Sequence, residues 1–240
     1  MTEKKITIVQ LYPKDMNIYG DWGNVLTLKR RLEWHGYSPV LIEYNQGDVF
    51  PKEADIIVGG GGQDSGQDII QEDLLGIGSK LHKLADANAP MLMICGLYQL
   101  FGKFFKTQDG HIIEGIDLLG IETHAGSERL IGNTTVKSHE FGEIIGYENH
   151  SGQTYLYKNT LPLGHIIKGA GNNGQDGTEG VRYKNVIGSY LHGSLLPKNP
   201  AIADFLIEKA VERKYGEFTP AVIDDHFATL AREVALKRPR

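Results

Sequence analysis

The chain has a single cysteine, Cys95, at the point where the apolar run Pro90-Met91-Leu92-Met93-Ile94 gives way to Gly96-Leu97-Tyr98-Gln99. The pattern reads as a buried strand turning sharply into a helix. A thiol on such a turn is held above the carboxyl edge of a parallel sheet, where α/β proteins bind their ligands. The helix N-terminus beside it favours the thiolate, the reactive form. Gly96 would aim its backbone N–H at an oxyanion. The four glycines Gly59 to Gly62 end at the same edge, with a second N–H near Gly60. Two donors and a thiolate make an acyl-transfer site. The glycine run does not read as a phosphate loop, because no Gly-Lys-Ser/Thr follows it and no GxGxxG spacing is present. One cysteine can form neither an intramolecular disulfide nor a multi-cysteine zinc site, and no metal is expected.

A cysteine nucleophile needs a base, usually histidine, and nine are present. His192, in Ile187-Gly188-Ser189-Tyr190-Leu191-His192-Gly193, ends an apolar run bounded by glycines, as at a strand end near the same edge. His150, in Gly146-Tyr147-Glu148-Asn149-His150-Ser151-Gly152, lies in a similar setting. His35, His82 and His226 fall in helical segments and read as ordinary surface or core histidines. Residue types and spacing do not rank His192 above His150.

Alternating elements are needed to carry these groups. Ile6 to Leu11, Pro39 to Tyr44, Ala54 to Val58 and Pro90 to Ile94 read as strands rich in β-branched and apolar residues. Between them, a helix capped by Asn24 and closed at Gly36, and another over Ile69 to Ala87, predict a parallel sheet with right-handed crossovers. A short helix is expected to follow Cys95 through Phe105. From about Gly110 to Gly193, short β-rich runs between Gly, Asn and Ser turns read as antiparallel hairpins added to that sheet. Helices return after Asn199-Pro200 and over Pro220 to Leu236. The basic end Lys237-Arg238-Pro239-Arg240 reads as a solvated tail. No repeat or linker interrupts the pattern, so residues 1–240 are expected to form one domain.

Composition bounds the function. Forty per cent apolar and 23 % charged residues are ordinary for a globular protein. A net charge of −5 argues against electrostatically driven nucleic-acid binding. Met-Thr-Glu-Lys-Lys leads into a strand-like run and not a signal-peptide core, and no apolar run spans a bilayer. A cytoplasmic protein, not embedded in a membrane, is expected. Glycine, at 30 of 240 residues, implies many tight turns.

The elbow, the glycine loop and the late histidine together resemble the class I glutamine amidotransferases, in which cysteine and histidine hydrolyse glutamine and deliver ammonia to a synthase. Gly146-Tyr147-Glu148-Asn149-His150 and Tyr190-Leu191-His192-Gly193 resemble the cobyric acid synthase branch. With Ile94-Cys95-Gly96 and the Gly171-Asn172-Asn173 turn, they are closer still to the glutaminase subunits of lipid II isoglutaminyl synthases. The resemblance covers nearly the whole chain and implies a flavodoxin-like parallel sheet flanked by helices. It makes Cys95 the nucleophile, His192 the base, and Arg129 and Gln99 ligands of glutamine. Without it, Arg129 in Gly126-Ser127-Glu128-Arg129 reads as a solvated turn residue, and Gln99 as a helix-surface residue. It also implies a Mur-ligase-like (MurT-like) synthase partner that uses ATP and Mg²⁺ to amidate the D-glutamate of lipid II. No cofactor is expected in this chain, which has no ATP motif.

Two positions depart from that class. Its elbows usually carry glycines two residues either side of the cysteine, where this chain has Met93 and Leu97. It usually places a glutamate two residues after the histidine, where this chain has Ser194. The third catalytic group is therefore expected from a carboxylate of the partner, with Glu148 or Glu179 as internal alternatives. Two rival readings share the fold: a free-standing cysteine hydrolase or peptidase, and a non-catalytic glutamine-binding subunit.

Overall fold

The computed structural model describes residues 3–238, so Pro239 and Arg240 of the basic tail lie outside the described residues. The first half holds β1 (Lys5–Leu11), α1 (Trp22–Trp34), β2 (Ser38–Tyr44), β3 (Ile56–Gly59), α2 (Asp64–Asp86), β4 (Met91–Ile94) and α3 (Gly96–Leu100). It continues through β5 (Phe104–Lys106), β6 (Ile112–Glu114), β7 (Ile121–Ser138), β8 (Gly142–Leu156), β9 (Gly164–Lys168) and β10 (Thr178–Glu179). The last elements are β11 (Val181–Tyr183), β12 (Val186–Ser189), α4 (Leu195–Lys198), α5 (Pro200–Tyr215) and α6 (His226–Leu236).

One sheet runs in the order β11-β12-β4-β3-β1-β2 and is parallel except at β11. Its inner strands are apolar without alternation because helices cover both faces. Ile8, Val9, Ile57, Leu92 and Ile187 are fully buried, each contributing roughly 1.5–3 kcal/mol of transfer free energy. The connection from β1 to β2 runs one way along the sheet and that from β3 to β4 the other. Right-handed crossovers then put α1 and α2 on opposite faces. The direction reverses between β1 and β3, and a crevice opens at their carboxyl ends.

The middle of the chain differs from the expected short hairpins on the parallel sheet. It forms a second six-stranded sheet, ordered β10-β9-β7-β5-β6 with β8 paired to β7. Two long strands dominate, β7 of 18 residues and β8 of 15. Polar alternation along both let one face stay wet, so the turn-like Gly and Ser residues do not end the ladder. The β7–β8 register breaks between Ala125 and Leu130, and Arg129 stands in that break. The helix after Cys95 stops at Leu100, short of Phe105, and β5 begins at Phe104. Gly102 permits this, because a Cβ there would stand 2.7 Å from the Ile121 carbonyl oxygen.

Candidate active site

β4 and β12 are parallel neighbours, with Ser189 opposite Ile94 and the Cys95 N–H donating to the Ser189 carbonyl at 2.9 Å. Their carboxyl ends therefore deliver Cys95 and His192 to the same edge. Cys95 has φ +51° and ψ −106°, a region L residues occupy only under constraint. The constraint is the elbow, which lifts the side chain out of the strand at the start of α3. Met93 and Leu97 fit where glycines were expected because the opposing residue is a glycine. A Cβ on Gly59 would stand 2.3 Å from Leu97 Cδ1 and 3.0 Å from Met93 Sδ. The space a small residue normally leaves in the elbow is left here by β3.

His192 is buried, and its Nδ1 lies 3.1 Å from Asp21 Oδ2 and 3.3 Å from Oδ1. Asp21 is the residue before α1, at the end of the loop that follows β1. Beside the carboxylate expected from a partner, this chain thus has an acid of its own against the histidine, one that the sequence reading did not name. The internal alternatives are engaged elsewhere. Glu148 accepts the Ala170 and Gly171 N–H groups, both at 2.8 Å. Glu179 accepts the Ser189 hydroxyl at 2.7 Å and the Tyr190 N–H at 2.9 Å. Asp21 was missed because it follows a different strand, 171 residues from His192 in sequence. Its signal was an acid in the loop after the first strand, at the carboxyl edge of the sheet.

With Nδ1 committed to Asp21, Nε2 is the ring nitrogen left to exchange a proton, and it has no hydrogen-bond partner among the described residues. Burial disfavours the charged imidazole, but Cys95 and the Asp21 carboxylate outweigh it and push His192 up to about 10. Gly61 makes this approach possible. A Cβ there would stand 2.7 Å from His192 Cε1 and 3.1 Å from both Cys95 Cβ and Tyr19 Cδ2.

His150 reaches the same cavity but plays a different part. Its Nδ1 donates to the Gly152 carbonyl at 2.7 Å, and its ring stacks on Tyr190 at 3.5 Å. Burial, chiefly, pushes it down to about 3, so it is neutral at neutral pH. Pairing with an acid separates His192 from His150, and spacing alone did not.

The cavity beside Cys95 measures about 390 Å³ and is lined by Tyr19, Gly62, Gln99, Arg129, Asn149 and His150 among others. Gln99 is buried, donating to Tyr190 Oη at 3.0 Å and accepting from Gln67 Nε2 at 2.9 Å. It is not the helix-surface residue of the alternative reading. Arg129 is exposed at the mouth; its Nε donates to Asn149 Oδ1 at 2.6 Å and its Nη2 to Tyr19 Oη at 2.7 Å. Gly60 departs from its expected place. Its carbonyl accepts the Leu97 N–H at 3.4 Å, and a Cβ on it would meet the Met16 carbonyl oxygen at 2.5 Å. A side chain there would point at Met16 and Asp21, and Gly60 is not among the residues lining the cavity. Gly62 lines the cavity instead, and a Cβ on Gly96 would stand 3.2 Å from the Gly62 nitrogen.

At the carboxyl edge of a doubly wound sheet, Cys95 lines a polar cavity with Arg129 at its mouth, and His192 and Asp21 stand behind it, the groups that acyl transfer requires. The family of CobB/CobQ-like glutamine amidotransferase domains matches residues 7–200, and the chain belongs to that family. Among its relatives is the lipid II isoglutaminyl synthase (glutamine-hydrolyzing) subunit GatD of Staphylococcus aureus. That protein is 39 % identical over 98 % of this chain and 96 % of its own length. The subunit of the same name from Streptococcus pneumoniae is 38 % identical over 89 % of this chain and 83 % of its own. In fold, the chain resembles PurLQS from Thermotoga maritima, with a TM-score of 0.59 at 15 % identity over 86 % of this chain and 98 % of that one. A glutamine amidotransferase from the same organism gives a TM-score of 0.56 at 13 % identity, over 96 % and 93 % of the two chains. Among the described residues, no helix is long and apolar enough to cross a membrane.

Proposed function

We propose that this chain hydrolyses L-glutamine through a Cys95 thioester and supplies the ammonia to a Mur-ligase-like synthase subunit that amidates the D-glutamate of lipid II. The observation that carries the chemistry is the His192–Asp21 pair beside Cys95. Cys95 gives its proton to His192, and its sulfur attacks the side-chain carbonyl carbon of glutamine. The oxyanion is held by the N–H groups of Gly62 and Gly96. The carbon–nitrogen bond breaks as His192 returns the proton to the leaving nitrogen, releasing ammonia. Water then attacks the thioester, His192 takes its proton, and the carbon–sulfur bond breaks to give glutamate and free Cys95. Asp21 fixes the tautomer and orientation of His192 and stabilises its imidazolium. Arg129 binds the α-carboxylate of free glutamine, and Gln99 lines the pocket floor.

The acceptor chemistry rests on the names of the relatives. ATP and Mg²⁺ belong to the partner. The test is reconstitution with a Mur-ligase-like subunit, ATP, Mg²⁺, lipid II and either glutamine or ammonia. Both nitrogen sources should support amidation with the wild-type chain, and only ammonia with Cys95→Ala. Amidation from ammonia but not from glutamine by the wild-type chain would overturn the reading.

A further inference from the structure

Tyr19 stands between the two halves of the site. Its hydroxyl accepts from Arg129 Nη2 at 2.7 Å, while its ring lies tilted against His192, centroid to centroid 4.4 Å. It sits in the loop between β1 and α1, two residues before Asp21. The N–H of Ile18, its neighbour, donates to the Gly61 carbonyl at 3.2 Å. One short segment thus touches the mouth of the cavity, the glycine loop and the face of the catalytic histidine.

The arginine's donors show what this contact can do. A guanidinium has five N–H groups in a fixed fork. Asn149 takes the Nε–H and Tyr19 takes one Nη2–H. Both hydrogens on Nη1 and one on Nη2 remain, enough donors for the guanidinium to take a carboxylate as well. Arg129 is otherwise exposed, and a free arginine would lose its rotamer freedom only when substrate bound. Tethering beforehand moves that ordering cost out of the binding step.

We propose that Tyr19 is a positioning residue, whose hydroxyl presets Arg129 for the α-carboxylate of the substrate and whose ring shields His192 from water. This rests on the glutaminase reading, with Arg129 as the carboxylate ligand. It ties specificity for free glutamine to the segment that also brings Asp21.

The test is binding of L-glutamine and of its α-amide to the full-length chain carrying Cys95→Ala, which prevents turnover, measured by titration calorimetry. Glutamine should bind more tightly than the α-amide. Tyr19→Phe keeps the ring and should weaken glutamine binding about tenfold, the loss of one hydrogen bond to a charged group. It should weaken α-amide binding little. Adding Tyr19→Phe to Arg129→Ala should weaken binding no further. With Cys95 present, Tyr19→Phe should raise KM and leave kcat within about twofold, whereas Tyr19→Ala should lower kcat as well. Wild-type affinity and preference in Tyr19→Phe, with the preference lost in Arg129→Ala, would overturn the proposal alone. An undiminished preference in Arg129→Ala would overturn the assignment of Arg129, and the role of Tyr19 with it.

Discussion

The Ser194 hydroxyl donates to the Gly20 carbonyl at 2.9 Å. Gly20 immediately precedes Asp21. The position where class I amidotransferases place their acid therefore anchors the segment that brings an acid from elsewhere. Ser194 adopts φ +46° and packs so tightly that a Cβ on Gly23 would stand 2.1 Å from its Oγ. Placing that class's usual glutamate here should therefore harm the site. Ser194→Glu should lower glutaminase kcat roughly tenfold or more, by displacing the Asp21 segment. Steady-state glutamate release checks it, and an increase would mean the site is short of a carboxylate after all.

Asp21→Asn should lower kcat by roughly 10²- to 10⁴-fold, because an amide can hold His192 in the wrong tautomer. The pH dependence follows from the sign of the shift. His192 is pushed up to about 10, in part by Asp21, so its imidazolium persists to alkaline pH. Activity that needs its proton on the leaving nitrogen falls as pH rises through about 10. Without the carboxylate the alkaline fall should move to lower pH. A pH–rate profile of both proteins decides the matter.

Gly61→Ala should cost on the order of 10²-fold in kcat, since its methyl would stand 2.7 Å from the His192 ring. The His192 ring and the elbow would have to separate. Thermal melting should change far less than activity, so a matched loss of both would reassign Gly61 to the core.

Arg129→Ala should raise KM for glutamine roughly 10- to 100-fold, the value of a bidentate charged contact. Synthesis from added ammonia should be untouched. Parallel loss of glutamine- and ammonia-dependent synthesis would make Arg129 structural.

Much of this site was legible along the chain because its key groups sit at element ends that sequence marks well. The apolar run before Cys95, the four glycines that begin at the end of β3 and the apolar run before His192 each signal a strand reaching the carboxyl edge. Asp21 was not legible, because nothing local distinguishes a carboxylate that meets a histidine from the far end of the sheet from one that caps a helix. Gly60 and Gly62 differ only in the direction of their backbone, which composition does not encode. The long β7–β8 pair was hidden by its polar face and by glycines that fit inside the ladder instead of ending it. The exchange of small residues between the elbow and Gly59 is a cross-strand effect, visible only once Gly59 is seen opposite Met93.

The proposed mechanism turns on a bond between the Cys95 sulfur and the glutamyl carbon. Its most direct measurement is glutamate release from L-glutamine by the wild-type chain and by Cys95→Ala, each with and without a synthase partner. The substitution is small in volume and should leave melting nearly unchanged, while release falls to the uncatalysed background in every mixture. Glutamine hydrolysis persisting in Cys95→Ala would contradict the thioester mechanism outright.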